Sequence, residues 1–353
     1  MSQYLDAKYA ALQPYTPGEQ PRDADYTKLN TNESPFAPSP KVQLAVASEV
    51  ACLNRYPDPA AHELRESFAT YYGVETDCVF FGNGSDEILA FCFQALCPQG
   101  AAFADITYGF YPVYCALYGV QHTLVPLRED FSLVPEDYYG MGRTIFIANP
   151  NAPTGLALSR RQVEDILQNN AGSLVIMDEA YVDFGGESAV PLLTKYNNLL
   201  VVGTFSKSRA LAGGRLGYAM GSKELIEDLN RVRFSFNPYN LSRTTLAAGT
   251  AAIRDEAYHD KCCRSIVQTR AETARALEKM GFECTDSHAN FLFCSHETMP
   301  AQELYTLLKE RRVLVRWFDQ PRIQNWLRVT IGTKEEMDKF FFELRKILRE
   351  TKD

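Results

Sequence analysis

An apolar run at residues 199–203, Leu-Leu-Val-Val-Gly, limits how this chain can fold, because a run of this length is typical of a buried strand. It leads at once into the segment Thr-Phe-Ser-Lys, which presents two hydroxyl groups and then Lys207. An arginine, Arg215, follows eight residues later. A lysine amine that has lost its proton can add to a carbonyl and form a Schiff base. Lys207 is therefore a candidate nucleophile.

The neighbours of Lys207 indicate what it would act on. By residue type alone it would be a solvent-exposed loop lysine. However, Thr204 and Ser206 offer hydroxyl donors and Arg215 offers a guanidinium fork, a set that suits a phosphate dianion. This segment has an amine that can bind an aldehyde and, next to it, donors for a phosphate. Together they predict a site for pyridoxal 5′-phosphate.

Thr-Phe-Ser-Lys followed by Leu-Ala-Gly-Gly-Arg-Leu-Gly-Tyr resembles the lysine segment of the class I and II, fold-type I aminotransferases that depend on pyridoxal phosphate. Within that family it is most similar to the histidinol-phosphate aminotransferases. Asn-Pro-Asn-Ala-Pro-Thr-Gly at 149–155 and Asp-Glu-Ala-Tyr at 178–181 precede it in the family's order. The string Leu-Asn-Thr-Asn-Glu-Ser-Pro at 29–35 is also similar. The resemblance covers nearly the whole chain.

The resemblance implies an α/β fold in which a large domain has a central, mostly parallel sheet between helices, with a smaller C-terminal α/β domain. A length of 353 residues agrees with two domains. The proline-dotted residues 1–30 are expected to form an N-terminal arm. The strand and helix alternation breaks at Pro238, which predicts a large cofactor-binding domain over 31–238 and a small domain over 239–353.

Local patterns predict individual elements. Ser39 before Pro40 predicts a helix start, because serine caps helices and proline suits the first turn. Helical spacing follows at 42–53, and also at 223–232, 301–311 and 334–348, while 246–280 is predicted to be one long helix or a helix pair. Strands are predicted at 79–81, 101–106, 144–148, 173–177, 289–294, 313–316 and 326–331.

Several residues are candidates for holding the cofactor. The glycine turn at 82–84 precedes a helix, whose first N–H groups can bind an anion. It is not a dinucleotide fingerprint, because Glu87 stands in place of the third glycine. The resemblance implies that the backbone of Ser85 and Asp86 binds the cofactor phosphate. It also implies that Tyr108 covers the face of the ring, although such aromatics are more often core residues.

Asp178 ends a predicted strand, and a carboxylate there can keep a ring nitrogen protonated, so that the ring accepts electrons. A helix-capping aspartate is the alternative. The resemblance implies that Tyr181 donates to the ring oxygen O3′. The family usually has a second donor to O3′, an asparagine directly before Pro-Thr-Gly, where this chain has Ala152. Either Asn151, one position earlier, reaches O3′ by a small backbone shift, or the oxygen relies on the tyrosine alone; we expect the first.

Substrate residues are implied by the resemblance. Arg328 matches the arginine that pairs with the substrate α-carboxylate, and Arg316 matches the one that binds a distal phosphate or the side-chain carboxylate of glutamate. Tyr15 and Asn32 are further candidates for contacting the substrate. Tyr56 matches a tyrosine that reaches the cofactor phosphate of the partner subunit, which implies a homodimer with shared active sites; an exposed turn tyrosine is the alternative.

The implied reaction is transamination between L-histidinol phosphate and 2-oxoglutarate in histidine biosynthesis, with Lys207 as the Schiff-base lysine and proton shuttle. A threonine-phosphate decarboxylase and an aromatic amino acid aminotransferase use the same scaffold and remain alternatives. A non-catalytic protein of this fold is a third possibility. It would be expected to lack the lysine or the aspartate, and both Lys207 and Asp178 are present.

Composition excludes other classes. A net charge of −8 argues against nucleic-acid binding, which needs clustered lysine and arginine. The nine cysteines include no Cys-x-x-Cys pair and the five histidines have no metal-ligand spacing, so we expect free thiols and no metal. No signal-peptide pattern and no apolar stretch of membrane-spanning length occurs. We therefore expect a cytoplasmic protein that binds small molecules and no membrane.

Overall fold

The computed structural model describes residues 2–21 and 25–350. The strands of this part are β1 Thr27–Lys28, β2 Val79–Gly82, β3 Ala101–Ala104, β4 His122–Val125, β5 Thr144–Ala148, β6 Val175–Asp178, β7 Leu199–Thr204, β8 Gly217–Gly221, β9 Phe282–Cys284, β10 Phe291–His296, β11 Val313–Leu314, β12 Arg316–Trp317 and β13 Leu327–Thr330. Its α-helices are α1 Ala7–Ala10, α2 Pro40–Glu49, α3 His62–Tyr72, α4 Ser85–Ala95, α5 Tyr111–Tyr118, α6 Arg160–Gln168, α7 Lys223–Phe236, α8 Arg243–Ile253, α9 Glu256–Glu278, α10 Ala301–Glu310 and α11 Lys334–Glu350.

The large sheet has seven strands in the order β2-β8-β7-β6-β5-β3-β4. The five strands from β7 to β4 are parallel, and β8 runs antiparallel to both of its neighbours. Because β2 is also antiparallel to β8, it points the same way as β7. The carboxyl ends of β2, β3, β5, β6 and β7 therefore lie along one edge, where open sheets of this kind bind ligands.

Helices cover both faces of this sheet, because successive side chains of a strand point to opposite faces. Ile145 and Ile147 of β5 belong to a cluster with Phe68 of α3. Phe146 between them faces the other side and stacks on Phe93 of α4, with ring centroids 4.0 Å apart. The expected α/β fold with a mostly parallel central sheet is confirmed.

A second sheet of four antiparallel strands, in the order β12-β13-β10-β9, lies in the C-terminal part. Its apolar side packs with residues of α10 and α11, such as Leu308 and Phe340. The single strand predicted at 313–316 is in fact two strands. After Leu314 the chain changes partner, since β11 pairs in parallel with β1, whereas β12 joins β13.

Most helix predictions agree with the structure. Ser39 accepts a hydrogen bond from the Val42 N–H and α2 begins at Pro40, which confirms the predicted capped start. The region 246–280 is a helix pair, α8 and α9. The domain boundaries, including the hinge at Pro238 between α7 and α8, stay predictions. No helix in the described ranges is both long and apolar enough to cross a membrane.

Candidate active site

Two adjoining cavities, each of about 340 Å³, lie at the carboxyl edge of the large sheet. They share five wall residues, namely Thr31, Tyr108, Ala152, Tyr181 and Lys207. The walls of the first cavity also include Ser85, Asp86, Asp178, Thr204, Ser206 and Arg215. The walls of the second cavity also include Tyr15, Asn32, Arg316, Phe318 and Arg328. Of the predicted site residues, only Asn151 and Tyr56 line neither cavity.

The ends of two neighbouring strands bring residues of the first cavity together. Asp178 is the last residue of β6 and Thr204 the last of β7, and these strands are parallel neighbours in the sheet. Lys207 follows three residues after Thr204, on the loop that leads to β8. Its Nζ donates to the Thr31 carbonyl oxygen at 3.2 Å and lies 5.9 Å from the centroid of the Tyr181 ring. Lys207 has no salt bridge in the described part of the chain, so its amine can face a carbonyl compound.

Asp178 is a buried carboxylate that faces the cavity. It accepts a hydrogen bond from Tyr111 Oη at 2.9 Å and one from the Ala180 N–H at 3.3 Å. Burial raises the pKa of its carboxyl to about 6, against the opposing effect of these two bonds. Within the described residues no cationic side chain pairs with it. A cationic ring nitrogen in the cavity would supply the missing counter-charge.

The start of α4 provides a site for an anion. Gly84 precedes the helix with a φ of 79° and no side chain caps the first N–H groups. A Cβ atom on Gly84 would lie only 2.5 Å from Nη2 of Arg215, so the guanidinium packs directly against the glycine. Arg215 is also held by Asp86, whose carboxylate accepts from Nη2 at 3.1 Å and from Tyr108 Oη at 2.7 Å.

Ser206 adds a hydroxyl donor to the same cavity. The Thr204 hydroxyl donates to Ser206 Oγ at 2.9 Å and accepts from the Ser206 N–H at 3.1 Å. When the Thr204 hydroxyl donates to Ser206, the proton of the Ser206 hydroxyl is left to point into the cavity. A serine hydroxyl, the amides of an uncapped helix and a guanidinium therefore surround one region, and this donor set is suited to a phosphate group.

Asn151 does not reach this cavity. Its amide nitrogen donates to the Ile106 carbonyl and to Thr154 Oγ1, both at 3.0 Å, and its amide oxygen accepts from Thr107 Oγ1 at 2.7 Å. These bonds hold the loop together and leave the amide turned away from the cavity. Ala152 forms the wall instead. Asn151 thus lines neither cavity, and its contact with O3′ stays a prediction, whereas Tyr181 is the predicted donor that does line the cavity.

Arg316 and Arg328 dominate the second cavity. They are cross-strand partners on β12 and β13. Nη2 of Arg328 donates to the Asn30 carbonyl at 3.0 Å, but its Nε is buried without a hydrogen-bond partner, and burial lowers the pKa of its guanidinium. Nη2 of Arg316 donates to the Thr16 carbonyl at 3.4 Å. Neither arginine forms a salt bridge within the described ranges, so both remain available to an anion.

The other predicted residues lie in different settings. Tyr15 lines the second cavity, with its ring 4.9 Å from that of Phe110. Asn32 lines the same cavity, but its amide donates to Tyr181 Oη at 2.9 Å. Tyr56 is 76% exposed and stacks on Tyr239, with ring centroids 4.4 Å apart. Its predicted role in a partner's site stays a prediction.

Three site residues were not singled out in the sequence. Thr31 provides the carbonyl that binds Lys207, and Glu33 lines the first cavity while it pairs with Lys28. Both belong to the string at 29–35, and the resemblance of this string to the family could have pointed to them as site residues. Tyr111 holds Asp178. It belongs to the aromatic cluster after β3, in which Tyr108 was the residue selected.

These features fit pyridoxal phosphate. The unpaired carboxylate of Asp178 suits a ring cation, the donors around Ser85, Ser206 and Arg215 suit a phosphate, and Lys207 between them suits an aldehyde. The described residues contain no group of three or more histidine, cysteine, aspartate or glutamate side chains that could hold a metal ion.

Comparison with known proteins assigns the chain to a family. The family model described as Aminotransferase class I and II matches residues 24–343. Histidinol-phosphate aminotransferase 1 of Hydrogenovibrio crunogenus is 50% identical over 352 residues, with 99% of each chain covered. The histidinol-phosphate aminotransferase of Brachyspira hyodysenteriae is 47% identical, with 99% of this chain and 100% of the relative covered. The crystal structure of histidinol-phosphate aminotransferase from Sinorhizobium meliloti in complex with pyridoxal-5′-phosphate has a TM-score of 0.90 at 22% identity, with 99% of each chain covered. The chain therefore belongs to the class I and II aminotransferase family.

Proposed function

We propose that this protein catalyses transamination between L-histidinol phosphate and 2-oxoglutarate with pyridoxal 5′-phosphate as cofactor, a step of histidine biosynthesis. The amino group passes to 2-oxoglutarate, which yields glutamate and the oxo phosphate derived from histidinol phosphate. The observation that carries the proposal is the pair Arg316 and Arg328 in a cavity that shares Lys207 with the cofactor cavity. The high identity to relatives named for this activity supports the choice of substrate.

The cofactor would be held at three points. Asp178 would pair with the ring nitrogen, Lys207 would bind the aldehyde, and the phosphate would lie at the start of α4 with Ser206 and Arg215. When bound, pyridoxal phosphate supplies an aldehyde that condenses with amines and a ring that accepts the electron pair left at Cα. Tyr108 and Tyr181 line the same cavity and would position the ring between them.

Lys207 would act as the proton carrier. When its Nζ is not bound to the cofactor aldehyde, it would be free to take the proton from the substrate Cα. The Thr31 carbonyl, 3.2 Å from Nζ, accepts a hydrogen bond from the amine and so directs it. Because the lysine lines both cavities, it would face both the cofactor and the substrate carbon that reacts.

The two arginines would bind and orient the substrates. Histidinol phosphate carries a phosphate and 2-oxoglutarate carries two carboxylates, so both present anions to a cationic cavity. Arg328, whose Nε lacks a partner, would hold the α-carboxylate of 2-oxoglutarate, and Arg316 would contact the phosphate of histidinol phosphate or the second carboxylate of 2-oxoglutarate. A fixed anion at this position aligns the Cα–H bond with respect to the ring.

We also propose a homodimer in which Tyr56 reaches the partner's site. The exposed stack of Tyr56 on Tyr239 is an apolar feature that a partner would cover, and Leu53 and Phe236 nearby in the sequence are exposed as well. A cytoplasmic location is proposed because nine cysteines without a disulfide pattern suit a reducing compartment.

One assay tests the reaction. The purified protein with pyridoxal phosphate is incubated with histidinol phosphate and 2-oxoglutarate, and glutamate is measured. A parallel incubation uses O-phosphothreonine, with release of CO2 as the readout. Glutamate formation that depends on both substrates is the expected result. Release of CO2 without glutamate would replace the proposal with the decarboxylase alternative.

A further inference from the structure

We propose that Asn32 is a positioning residue that sets the direction in which Tyr181 donates its hydroxyl proton. The inference rests on the proposed function, because it concerns the donor that Tyr181 presents to the cofactor cavity. It gives Asn32 a different task from the substrate contact implied by the resemblance. The starting observation is the hydrogen bond of 2.9 Å from Asn32 Nδ2 to Tyr181 Oη.

Asn32 is fixed on all sides. It is buried and has a φ of 56°, a left-handed conformation that asparagine adopts more readily than most residues. Its carbonyl oxygen accepts from Asn290 Nδ2 at 3.0 Å. The preceding residue, Thr31, holds the amine of Lys207 through its own carbonyl. Residues 31 and 32 therefore form hydrogen bonds with both Lys207 and Tyr181.

Thr330 determines which way the Asn32 amide is turned. The Thr330 hydroxyl oxygen accepts from the Asn32 backbone N–H at 3.0 Å. Its own proton then remains to donate to Asn32 Oδ1, which lies 2.9 Å away. Because Oδ1 is occupied by this bond, the atom that faces Tyr181 is Nδ2. The reversed amide would leave the Thr330 hydroxyl proton without an acceptor among the described residues, so the bonding pattern favours this orientation.

An amide nitrogen can only donate, so Tyr181 Oη must accept from Asn32. The phenolic proton is consequently free to point in another direction. It has no acceptor among the described residues, and Tyr181 lines both cavities. The chain Thr330 to Asn32 to Tyr181 therefore delivers a hydrogen-bond donor to the cofactor cavity.

The Tyr181 hydroxyl is especially important as a donor in this chain. Ala152 has no side-chain donor at the position directly before Pro-Thr-Gly, and the amide of Asn151 is bound to Ile106, Thr107 and Thr154. No asparagine side chain at this wall therefore offers a second donor beside the Tyr181 hydroxyl. A change that reversed the bond to Asn32 would remove the donor without removing the phenol.

Asn32→Asp is the variant that reverses it. A carboxylate has nearly the same size but only accepts, so it would take the phenolic proton of Tyr181 and turn it away from the cavity. Asn32→Gly removes the amide and keeps the left-handed backbone accessible. Tyr181→Phe removes the donor altogether and is the reference. Asn197→Asp, at an exposed position, controls for the added charge.

The readout is the pH titration of the visible absorption of each protein loaded with pyridoxal phosphate, together with the dissociation constant of the cofactor. A donor at the cofactor's phenolic oxygen stabilises negative charge there, and that charge is least compensated after the nitrogen bound to Lys207 loses its proton. Loss of the donor should therefore raise the pH at the midpoint of the absorption change. Lys207 and Arg328 interact with the Tyr181 ring or hydroxyl, and the cavity that Tyr181 lines also carries Glu33, Asp86, Asp178 and Arg215. The variants at position 32 leave all six in place.

We expect Tyr181→Phe and Asn32→Asp to raise the midpoint by about one pH unit, the size of one hydrogen bond to a charged group. Asn32→Gly should raise it by less, and Asn197→Asp should leave it unchanged. If Asn32→Asp does not fold, the upward shift in Asn32→Gly decides the matter. A shift in Tyr181→Phe with wild-type midpoints for the folded variants at position 32 overturns the inference and leaves the proposed function standing. A wild-type protein that binds no pyridoxal phosphate overturns both.

Discussion

Arg316 and Arg328 lie directly opposite each other on the antiparallel strands β12 and β13, and neither has a salt-bridge partner within the described residues. Like charges at such cross-strand positions destabilise a sheet by a fraction of a kcal/mol. The pair becomes favourable when an anion enters the second cavity. This relationship accounts for the anionic substrates that we propose, and it can be tested on each arginine separately.

Replacing Arg316 with glutamine should weaken substrate binding. The loss of a hydrogen bond to a charged group is about 1.5–3 kcal/mol, so kcat/KM for histidinol phosphate should fall about 10- to 100-fold. Affinity for the cofactor should stay near that of the wild type, because Arg316 does not line the first cavity. Steady-state kinetics and cofactor titration measure the two effects. Arg345→Gln, which removes an exposed guanidinium from α11, is the matched control; equal losses of substrate and cofactor affinity would show that Arg316 has another role.

Asp178→Asn should stabilise the cofactor-free protein in a pH-dependent way. Burial raises the pKa of this carboxyl to about 6, so the ionised form opposes folding as the pH rises from about 4 through 6. The variant should be more stable than the wild type by about 1–3 kcal/mol at pH 8 and about equal to it at pH 4. Its affinity for pyridoxal phosphate should fall, because the counter-charge for the ring is lost.

Urea unfolding of the cofactor-free proteins at both pH values measures this difference. Asp319→Asn, at an exposed position, controls for a change of net charge. A variant at position 178 that is no more stable than the wild type at pH 8 would mean that the buried carboxylate is compensated by a group we have not recognised.

Gly84→Ala should weaken cofactor binding at the phosphate. The new Cβ would lie 2.5 Å from Arg215 Nη2, and alanine is strained at a φ of 79°. We expect the dissociation constant of pyridoxal phosphate to rise about tenfold or more, as a shifted guanidinium contact of about 1.5 kcal/mol implies. The control is Gly172→Ala, where a Cβ meets nothing within 4 Å. Unchanged cofactor affinity in Gly84→Ala would argue that the phosphate does not lie against Arg215.

The shared active site predicts complementation between two inactive variants. Tyr56→Ala lacks the residue that we assign to the partner's site, and Lys207→Ala lacks the nucleophile. In a mixed dimer, the chain with intact Lys207 receives Tyr56 from its partner, so one site is complete. Random mixing should therefore restore about a quarter of wild-type activity, because half of the dimers are mixed and each has one working site. Activity that stays at the level of the separate variants would place Tyr56 outside the partner's site.

Much of this account could be predicted from the sequence, because the chemistry follows the ends of strongly apolar strands. The runs before Asp178 and Lys207 predicted both the buried strands and the residues at their carboxyl ends, and the structure places these residues in one cavity. The family and the mostly parallel sheet were predicted correctly as well.

Other features depend on contacts that no local pattern contains. The amide of Asn151 is used by Ile106 and Thr107, residues distant in sequence that only the folded sheet brings near. The contact of Tyr111, the first residue of α5, with Asp178 at the end of β6 joins residues 67 positions apart, so the sequence does not show it. The split of 313–316 into two strands arises because the residues on either side of Val315 pair with different sheets.

The most direct test of the central claim is to locate the covalent bond between protein and cofactor. The protein loaded with pyridoxal phosphate is reduced with borohydride, digested and analysed by mass spectrometry, with Lys207→Ala treated in parallel. We predict that the reduced cofactor is attached to the peptide that contains Lys207 and that the variant carries none and does not turn over substrate. Attachment to another lysine, or turnover by Lys207→Ala, would contradict the account.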